Sequence, residues 1–106
     1  MRQLSALIEM NVSNADYSVD QLSKEMNMSR VSLYKKVLLL TGKTPIEYIR
    51  FYRLKKAAQL LEKSQLTIAE IAYEVGFNNP KFFSKYFKLE YNMLPSAYAA
   101  LKANKA

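Results

Sequence analysis

The sequence contains no histidine and no cysteine among its 106 residues. Histidine is the commonest general base and the commonest metal ligand, so its absence removes the usual basis of acid–base catalysis and metal binding. A Lys- or Tyr-based active site is the enzymatic alternative that is left; we expect no catalysis, no cofactor, no metal ion and no small-molecule ligand. The lack of cysteine excludes disulfides and thiolate metal sites, and it fits a reducing compartment.

Glycine and proline are also scarce, with two and three residues. So few turn-forming residues leave little room for the turns of an all-β protein, whereas 50% of the residues are hydrophobic. The composition therefore predicts an all-α fold in one compact domain, residues 1–106. No apolar run approaches the ~18 residues of a membrane span, and Met1-Arg2 opens no secretory signal. We expect a cytoplasmic chain without membrane contact.

Positive charge is in excess, with a formal net charge of +7. This predicts a polyanionic partner, although charge by itself does not separate DNA, RNA and anionic lipid. In the stretch NPKFFSKYFK (79–88), Lys81, Lys85 and Lys88 recur at a spacing that places them on one face of a helix. Phe83 and Phe87 then point the opposite way, into a core. An ordinary solvated face is the alternative interpretation of this lysine ladder.

The chain repeats itself at a shift of about 50 residues. The aligned segments are SVDQLSKEMNM (18–28) with TIAEIAYEVGF (67–77), and LYKKVLLLTGKTPIEY (33–48) with FSKYFKLEYNMLPSAY (83–98). Asn27 pairs with Gly76 and Gly42 pairs with Asn92, and both residue types tolerate a left-handed backbone. Each copy is therefore predicted to need positive φ twice, after its first and after its second helix.

Capping sequences mark the predicted helix starts. Three segments match the capping box: Ser18-x-x-Gln21, Thr44-Pro45-Ile46-Glu47 and Thr67-x-x-Glu70. Ser29 and Asn79-Pro80 are typical first residues for the second helix of each copy. Together these signals predict seven helices. The predicted parts are an N-terminal helix (about 2–11), a first helix pair (about 18–42), a linker helix (about 45–63), a second pair (about 67–92) and a C-terminal helix (about 95–103).

Two helices joined by a short left-handed turn match the helix-turn-helix plan. In that plan the second helix lies in the DNA major groove, and its N-terminal half reaches the base edges. The charges agree, because residues 29–40 include Arg30, Lys35 and Lys36 with no acid, whereas the first helix of each copy carries acidic residues. The sequence therefore predicts two subdomains that bind double-stranded DNA.

The segments LSKEMNMSRVSLYKKVLLLTGKTPIEYIRFYRLKKAAQLL and TIAEIAYEVGFNNPKFFSKYFKLEYNMLPSAY resemble the DNA-binding domain of the AraC/XylS family of bacterial transcription regulators. The resemblance extends from about Val19 to Tyr98, and it is greatest to C-terminal output domains of hybrid two-component regulators. It implies a sequence-specific regulator that acts at the nucleoid and contacts RNA polymerase. It also implies that sensing and dimerisation domains are absent from this chain, and that the full protein is membrane-anchored if it is a hybrid sensor.

The resemblance further implies which residues contact DNA. Base contacts carried over to the first motif are Arg30, Val31, Ser32, Tyr34 and Lys35. Those carried over to the second motif are Pro80, Lys81, Ser84 and Lys85. Asn79, at the start of the second reading helix, and Lys88, on the lysine ladder, complete the predicted DNA-binding set. Leu38 stands where a basic residue is common in the family and where the second copy has Lys88. A phosphate contact is therefore less expected at position 38.

Two other functions stay open at the level of sequence. The basic face could meet an acidic protein in a non-enzymatic adaptor, or the domain could bind RNA. RNA is disfavoured, because the A-form major groove is too narrow for a helix and no exposed aromatic platform is evident. On the linker, we expect at least one of Arg50 and Arg53 to be a structural partner of a glutamate or a carbonyl. We also expect Tyr48 and Tyr98 in the core.

Overall fold

The structure is a computed structural model that describes residues 2–103. Within this range the chain forms seven α-helices and no strand, which confirms the all-α prediction. The helices are α1 (Arg2–Met10), α2 (Val19–Glu25), α3 (Arg30–Thr41), α4 (Pro45–Lys63), α5 (Ile68–Glu74), α6 (Pro80–Tyr91) and α7 (Pro95–Ala103). The predicted domain span of 1–106 also includes Met1 and residues 104–106, which lie outside the described residues. In the described part, no helix is both long and apolar enough to cross a bilayer.

Side-chain caps begin most of these helices at the predicted residues. At α4, the Thr44 Oγ1 accepts from the Glu47 N–H at 3.3 Å while the Thr44 N–H donates to the Glu47 carboxylate at 2.9 Å. Thr67 and Glu70 form the same reciprocal pair at the start of α5. These bonds satisfy backbone donors that the first helical turn would otherwise leave unpaired.

The third predicted capping box, at α2, forms only in part. The Ser18 Oγ accepts from the Gln21 N–H at 3.2 Å. Within residues 2–103, the reciprocal bond from the Gln21 side chain is not made. The neutral amide of Gln21 is a weaker acceptor than the carboxylates of Glu47 and Glu70. A hydrogen bond from the Ser18 N–H to this amide would therefore be weaker, and it would not compensate for the entropy lost when an exposed side chain is fixed.

The four turn residues paired in the sequence repeat all have positive φ. The angles are 55° at Asn27, 87° at Gly76, 75° at Gly42 and 61° at Asn92. Each of these residues follows the end of a helix, where a left-handed residue redirects the chain. The exchange of Asn and Gly between copies therefore preserves backbone shape, as the sequence predicts.

Two hydrophobic clusters form the core, one under each helix pair. The first contains Leu22, Leu33 and Val37 with residues of α1 and α4, and the second contains Ile71, Phe83 and Phe87. Helix α4 supplies side chains to both clusters: its N-terminal part packs into the first and its C-terminal part into the second. Both helix pairs therefore pack against the same helix, α4.

Arg53 is buried where the two halves meet. Its guanidinium donates to the carbonyl oxygens of Val12 (2.9 Å), Asn14 (3.1 Å), Val75 (3.2 Å) and Tyr17 (3.5 Å). These carbonyls belong to the loop before α2 and to the turn after α5. Arg53 therefore joins the loop before α2 to the turn after α5, which confirms that one linker arginine is a structural partner of carbonyl groups.

The two tyrosines that occupy equivalent positions differ in burial. Tyr48 is buried as predicted, whereas Tyr98 is only partly buried and packs at the edge of the second cluster, so its assignment to the core is confirmed only in part. Its hydroxyl donates to the Glu62 carboxylate at 2.9 Å, near the end of α4. Burial and this hydrogen bond raise the pKa of Tyr98 to about 12. Its ring packs against Phe87 while the polar tip reaches solvent.

Candidate nucleic-acid interface

Helices α3 and α6 present the residues predicted to contact DNA. Both helices have twelve residues and occupy equivalent places in the repeat, so that Arg30 corresponds to Pro80. Their inward residues are completely buried: Leu33 and Val37 in α3, and Phe83 and Phe87 in α6. The opposite face of each helix is therefore the one left for a partner.

The lysine ladder of α6 lies on that outward face. Lys81, Lys85 and Lys88 are all exposed, while Phe83 and Phe87 are at zero exposure on the other side. The two Phe rings are 5.7 Å apart and continue into a stack with Tyr91. The aromatic side holds the helix against the core, which leaves the ammonium groups free to approach a polyanion.

The outward face of α3 is less basic. Val31, Lys35 and Leu38 occupy the positions equivalent to Lys81, Lys85 and Lys88, and all three are exposed. Ser32 and Tyr34 are also exposed. Every predicted contact residue of α3 is thus accessible, whereas Pro80 and Ser84 of α6 are partly buried.

Several of the predicted contact residues also stabilise the helices themselves. The Asn79 Oδ1 caps α6 by accepting from the Lys81 N–H at 2.8 Å. The Arg30 Nε lies 3.1 Å from an Asp20 carboxylate oxygen, in an ion pair exposed to solvent. The Ser29 hydroxyl, which caps α3, donates to the Ser32 hydroxyl at 3.0 Å. Asn79 and Ser32 are therefore hydrogen-bonded within the first turns of α6 and α3, and Arg30 is paired with an acidic side chain of α2.

Arg50, on α4, contacts helix α6. Its guanidinium stacks over the Tyr86 ring of α6 at 4.0 Å from the ring centroid. The expected partner of a linker arginine was a glutamate or a carbonyl, whereas Arg50 contacts an aromatic ring. The two residues are separated by 36 positions in the chain, and a single sequence gives no signal that pairs them.

A cleft of about 670 Å³ lies between the two helix pairs. Arg50 and Arg53 of the linker contribute to it, and so do residues at the starts of both reading helices, among them Arg30 and Asn79. Phe82, with 57% of its surface exposed, also lies there. Because the starts of both helices line this one cleft, the N-terminal ends of α3 and α6 lie on the same side of the molecule.

Comparison with known families identifies this arrangement. A family model described as "Helix-turn-helix domain" matches residues 22–100. Histidine kinase P4 of Formosa agariphila is 41% identical over 98 residues, which are 92% of this chain and 7% of that protein. The HTH-type transcriptional regulator MtrA of Neisseria gonorrhoeae is 32% identical over 83 residues, or 78% of this chain and 28% of that protein. The chain thus spans less than a third of these relatives.

Solved structures agree closely with the fold. The DNA-binding domain of AdpA, solved in complex with a target DNA, has a TM-score of 0.90 at 25% identity and covers 98% of this chain and 93% of its own. A regulator with an AraC-type DNA-binding domain from Chromobacterium violaceum has a TM-score of 0.89 at 26% identity, covering 97% and 91%. The C-terminal domain of AraT, a response regulator from Geobacillus stearothermophilus, has a TM-score of 0.87 at 29% identity, covering 94% and 83%.

Proposed function

This chain belongs to the AraC-type helix-turn-helix family of DNA-binding transcription regulators, and from that premise we propose that it binds duplex DNA sequence-specifically with α3 and α6 in successive major grooves. One observation carries the proposal. The two reading helices have buried inner faces and accessible outer faces, and both pack against the same linker helix. A rigid pair of readers is what recognition of two adjacent grooves requires.

The dimensions of the molecule suit this arrangement. The linker α4 has 19 residues, so it is ~28 Å long at 1.5 Å per residue. The molecule is 44 Å in its longest dimension, and successive major grooves on one side of B-DNA lie ~34 Å apart. If the reading helices are closer together than the grooves, the DNA bends to meet them, at a cost of ~1–6 kcal/mol that favours flexible sites.

Within this function the predicted residues take distinct roles. In the first motif Arg30, Val31, Ser32, Tyr34 and Lys35 contact base edges. In the second motif Pro80, Lys81, Ser84 and Lys85 contact base edges. Lys88 neutralises a phosphate, and Asn79 orients the first turn of α6 against the backbone. Positive charge on both helices supplies the sequence-independent part of the affinity.

We also propose that the chain is the output domain of a longer bacterial regulator. The similarity to a segment of histidine kinase P4 and to the C-terminal domain of the response regulator AraT supports a place in a longer two-component protein. In such a protein, other domains carry out sensing and dimerisation. The output domain binds DNA in the cytoplasm, at the nucleoid, and it contacts RNA polymerase.

Selection of binding sites from a random duplex pool tests the proposal. The domain should enrich a sequence with two conserved segments about one helical turn apart. At a stated salt concentration, duplex carrying that sequence should compete better than scrambled duplex, single strands or structured RNA. Equal competition by RNA, or no enrichment together with binding to an acidic protein, would overturn the proposal in favour of an RNA-binding or adaptor role.

A further inference from the structure

The outward faces of the two reading helices differ in chemistry at equivalent positions. Helix α6 has lysine at 81, 85 and 88, whereas α3 has Val31, Lys35 and Leu38. Both helices have a capped start, twelve helical residues and a left-handed residue at the end. The inward residues of both helices are apolar, so the change from basic to apolar chemistry is on the outward face.

Val31 is apolar and exposed without a role in the core. It keeps 65% of its surface accessible, and it lies at the second position of α3. The buried residues of this helix, Leu33 and Val37, are on the other side. A β-branched residue also has a lower helix propensity than alanine or lysine, so helix stability does not account for valine here.

An apolar groove continues from Val31 toward the start of the linker. It encloses about 480 Å³ between α2, α3 and α4. Tyr34 and Ile46 line it and are themselves exposed, Ile46 at 62% of its surface. Arg30 and Lys35 belong to the same lining. The face thus combines an apolar surface with two cations.

We propose that the first motif reads thymine through the C5-methyl group in the major groove, with Val31 as the contacting side chain. This inference rests on the function proposed above. The thymine methyl is the one apolar group that base edges present in that groove, and apolar side chains discriminate thymine by contacting it. Arg30 and Lys35 match the O6 and N7 acceptors of guanine on neighbouring base pairs, so duplex DNA satisfies both the apolar and the cationic parts of the face.

The two halves of the binding site are then unlike. The half that meets α3 contains thymine opposite Val31. The half that meets α6 is recognised by lysines, which as point charges bind guanine O6 and N7 or phosphate oxygens. A non-palindromic site follows from this difference, and it sets the orientation of the domain on the duplex.

Replacement of thymidine by deoxyuridine in the selected site isolates the methyl group, because uracil keeps the same hydrogen-bonding edge. For one position in the first half-site, removal of the methyl should weaken wild-type binding about fourfold, equivalent to ~0.8 kcal/mol. The same replacement should have a much smaller effect on Val31→Ala, since the two γ-methyl groups that reach furthest toward the thymine are removed. This non-additivity is the signature of a direct contact in a double-mutant cycle.

Two variants serve as controls. Met10→Ala removes an exposed apolar side chain from α1, where 77% of the residue is accessible, and it should retain the full dependence on the methyl group. Lys81→Ala alters the equivalent position of the second motif, and it should weaken binding without changing the effect of uracil in the first half-site. Val31→Ala stays on an exposed helix position, so circular dichroism should match wild type.

The outcomes separate this inference from the proposed function. Sequence-specific duplex binding that is insensitive to uracil throughout the first half-site would overturn the thymine reading and leave the function intact. A methyl effect of equal size in wild type and Val31→Ala would overturn the assignment to Val31. Absence of sequence-specific duplex binding would overturn both proposals.

Discussion

Gly42 and Gly76 have similar positive φ angles, 75° and 87°, but different surroundings. A Cβ on Gly42 would have no atom within 4 Å. A Cβ on Gly76 would overlap the Arg53 guanidinium and lie 2.5 Å from the Val12 carbonyl oxygen. The turn of the second motif therefore needs glycine for two reasons, backbone conformation and the close approach of Arg53.

This pair of glycines separates the two effects. Gly42→Ala should cost ~1 kcal/mol of unfolding free energy, the strain of a left-handed alanine. Gly76→Ala should cost more than ~3 kcal/mol, because Arg53 must also move away from the carbonyls that it binds. Urea unfolding followed by circular dichroism measures both values. Equal losses would show that Arg53 does not constrain this turn.

At the scale of elements, the caps were predictable because they are encoded within four residues. Thr44, Glu47, Thr67 and Glu70 carry their partners in the local sequence, and the structure forms both bonds at each site. The Arg53 contacts were predictable only as a type of interaction. Its nearest carbonyl partner, on Val12, is 41 positions away, and only the packing of α1, α4 and α5 brings the two together.

The capping carboxylates predict a dependence of stability on pH. Hydrogen bonds from the backbone and side chain of Thr44 and Thr67 lower the pKa values of Glu47 and Glu70. A lowered folded pKa contributes stability above the unfolded value, ~4.3 for glutamate, and this contribution is lost as pH falls through the folded pKa.

The double variant Glu47→Gln/Glu70→Gln should therefore lose less stability than wild type as the pH is lowered below about 5. Glutamine can still serve in a capping box, so the folded state near pH 7 should be preserved. Glu74→Gln, on α5 but at its C-terminal end, is the control for removal of one acidic charge from the same helix. Melting temperatures that fall in parallel for wild type and the double variant would contradict the role of the caps.

The salt dependence of DNA binding tests whether the lysine ladder of α6 contacts phosphates. Replacing Lys81, Lys85 and Lys88 by alanine should reduce the slope of log K against log salt by ~0.9 for each lysine that neutralises a phosphate. A lysine that reads a base edge should instead relax sequence preference. Binding to the selected duplex is measured over a range of salt concentrations.

The matched control removes three exposed lysines of the linker. Lys55 and Lys56 line a separate groove beside α1 together with Glu9 and Glu74, and Lys63 ends α4. Their replacement by alanine lowers net charge by the same amount but should leave most of the slope in place. Identical slopes for the two triple variants would mean that the ladder acts only through overall charge.

At the scale of the whole molecule, the repeat made the architecture predictable. Each copy needs the same caps and the same left-handed residues, so the second copy corroborates the first. The repeat did not predict the difference between Tyr48 and Tyr98. The two tyrosines occupy equivalent positions in the two copies, but α1 covers only Tyr48. Most residues predicted to contact DNA are exposed on α3 and α6, whereas Pro80 and Ser84 are partly buried; their contacts with DNA stay a prediction. The stack of Arg50 on Tyr86 was not predictable, because it depends on how α4 and α6 pack.

Hydroxyl-radical footprinting on the selected duplex tests most directly whether α3 and α6 of one molecule bind two successive major grooves. Wild type should protect two segments on one side of the duplex, with centres ~10–10.5 base pairs apart. Lys85→Ala should lose protection in one segment and Lys35→Ala in the other, because each residue lies on a different reading helix. A single protected segment, or loss of the same segment in both variants, would contradict recognition by two helices.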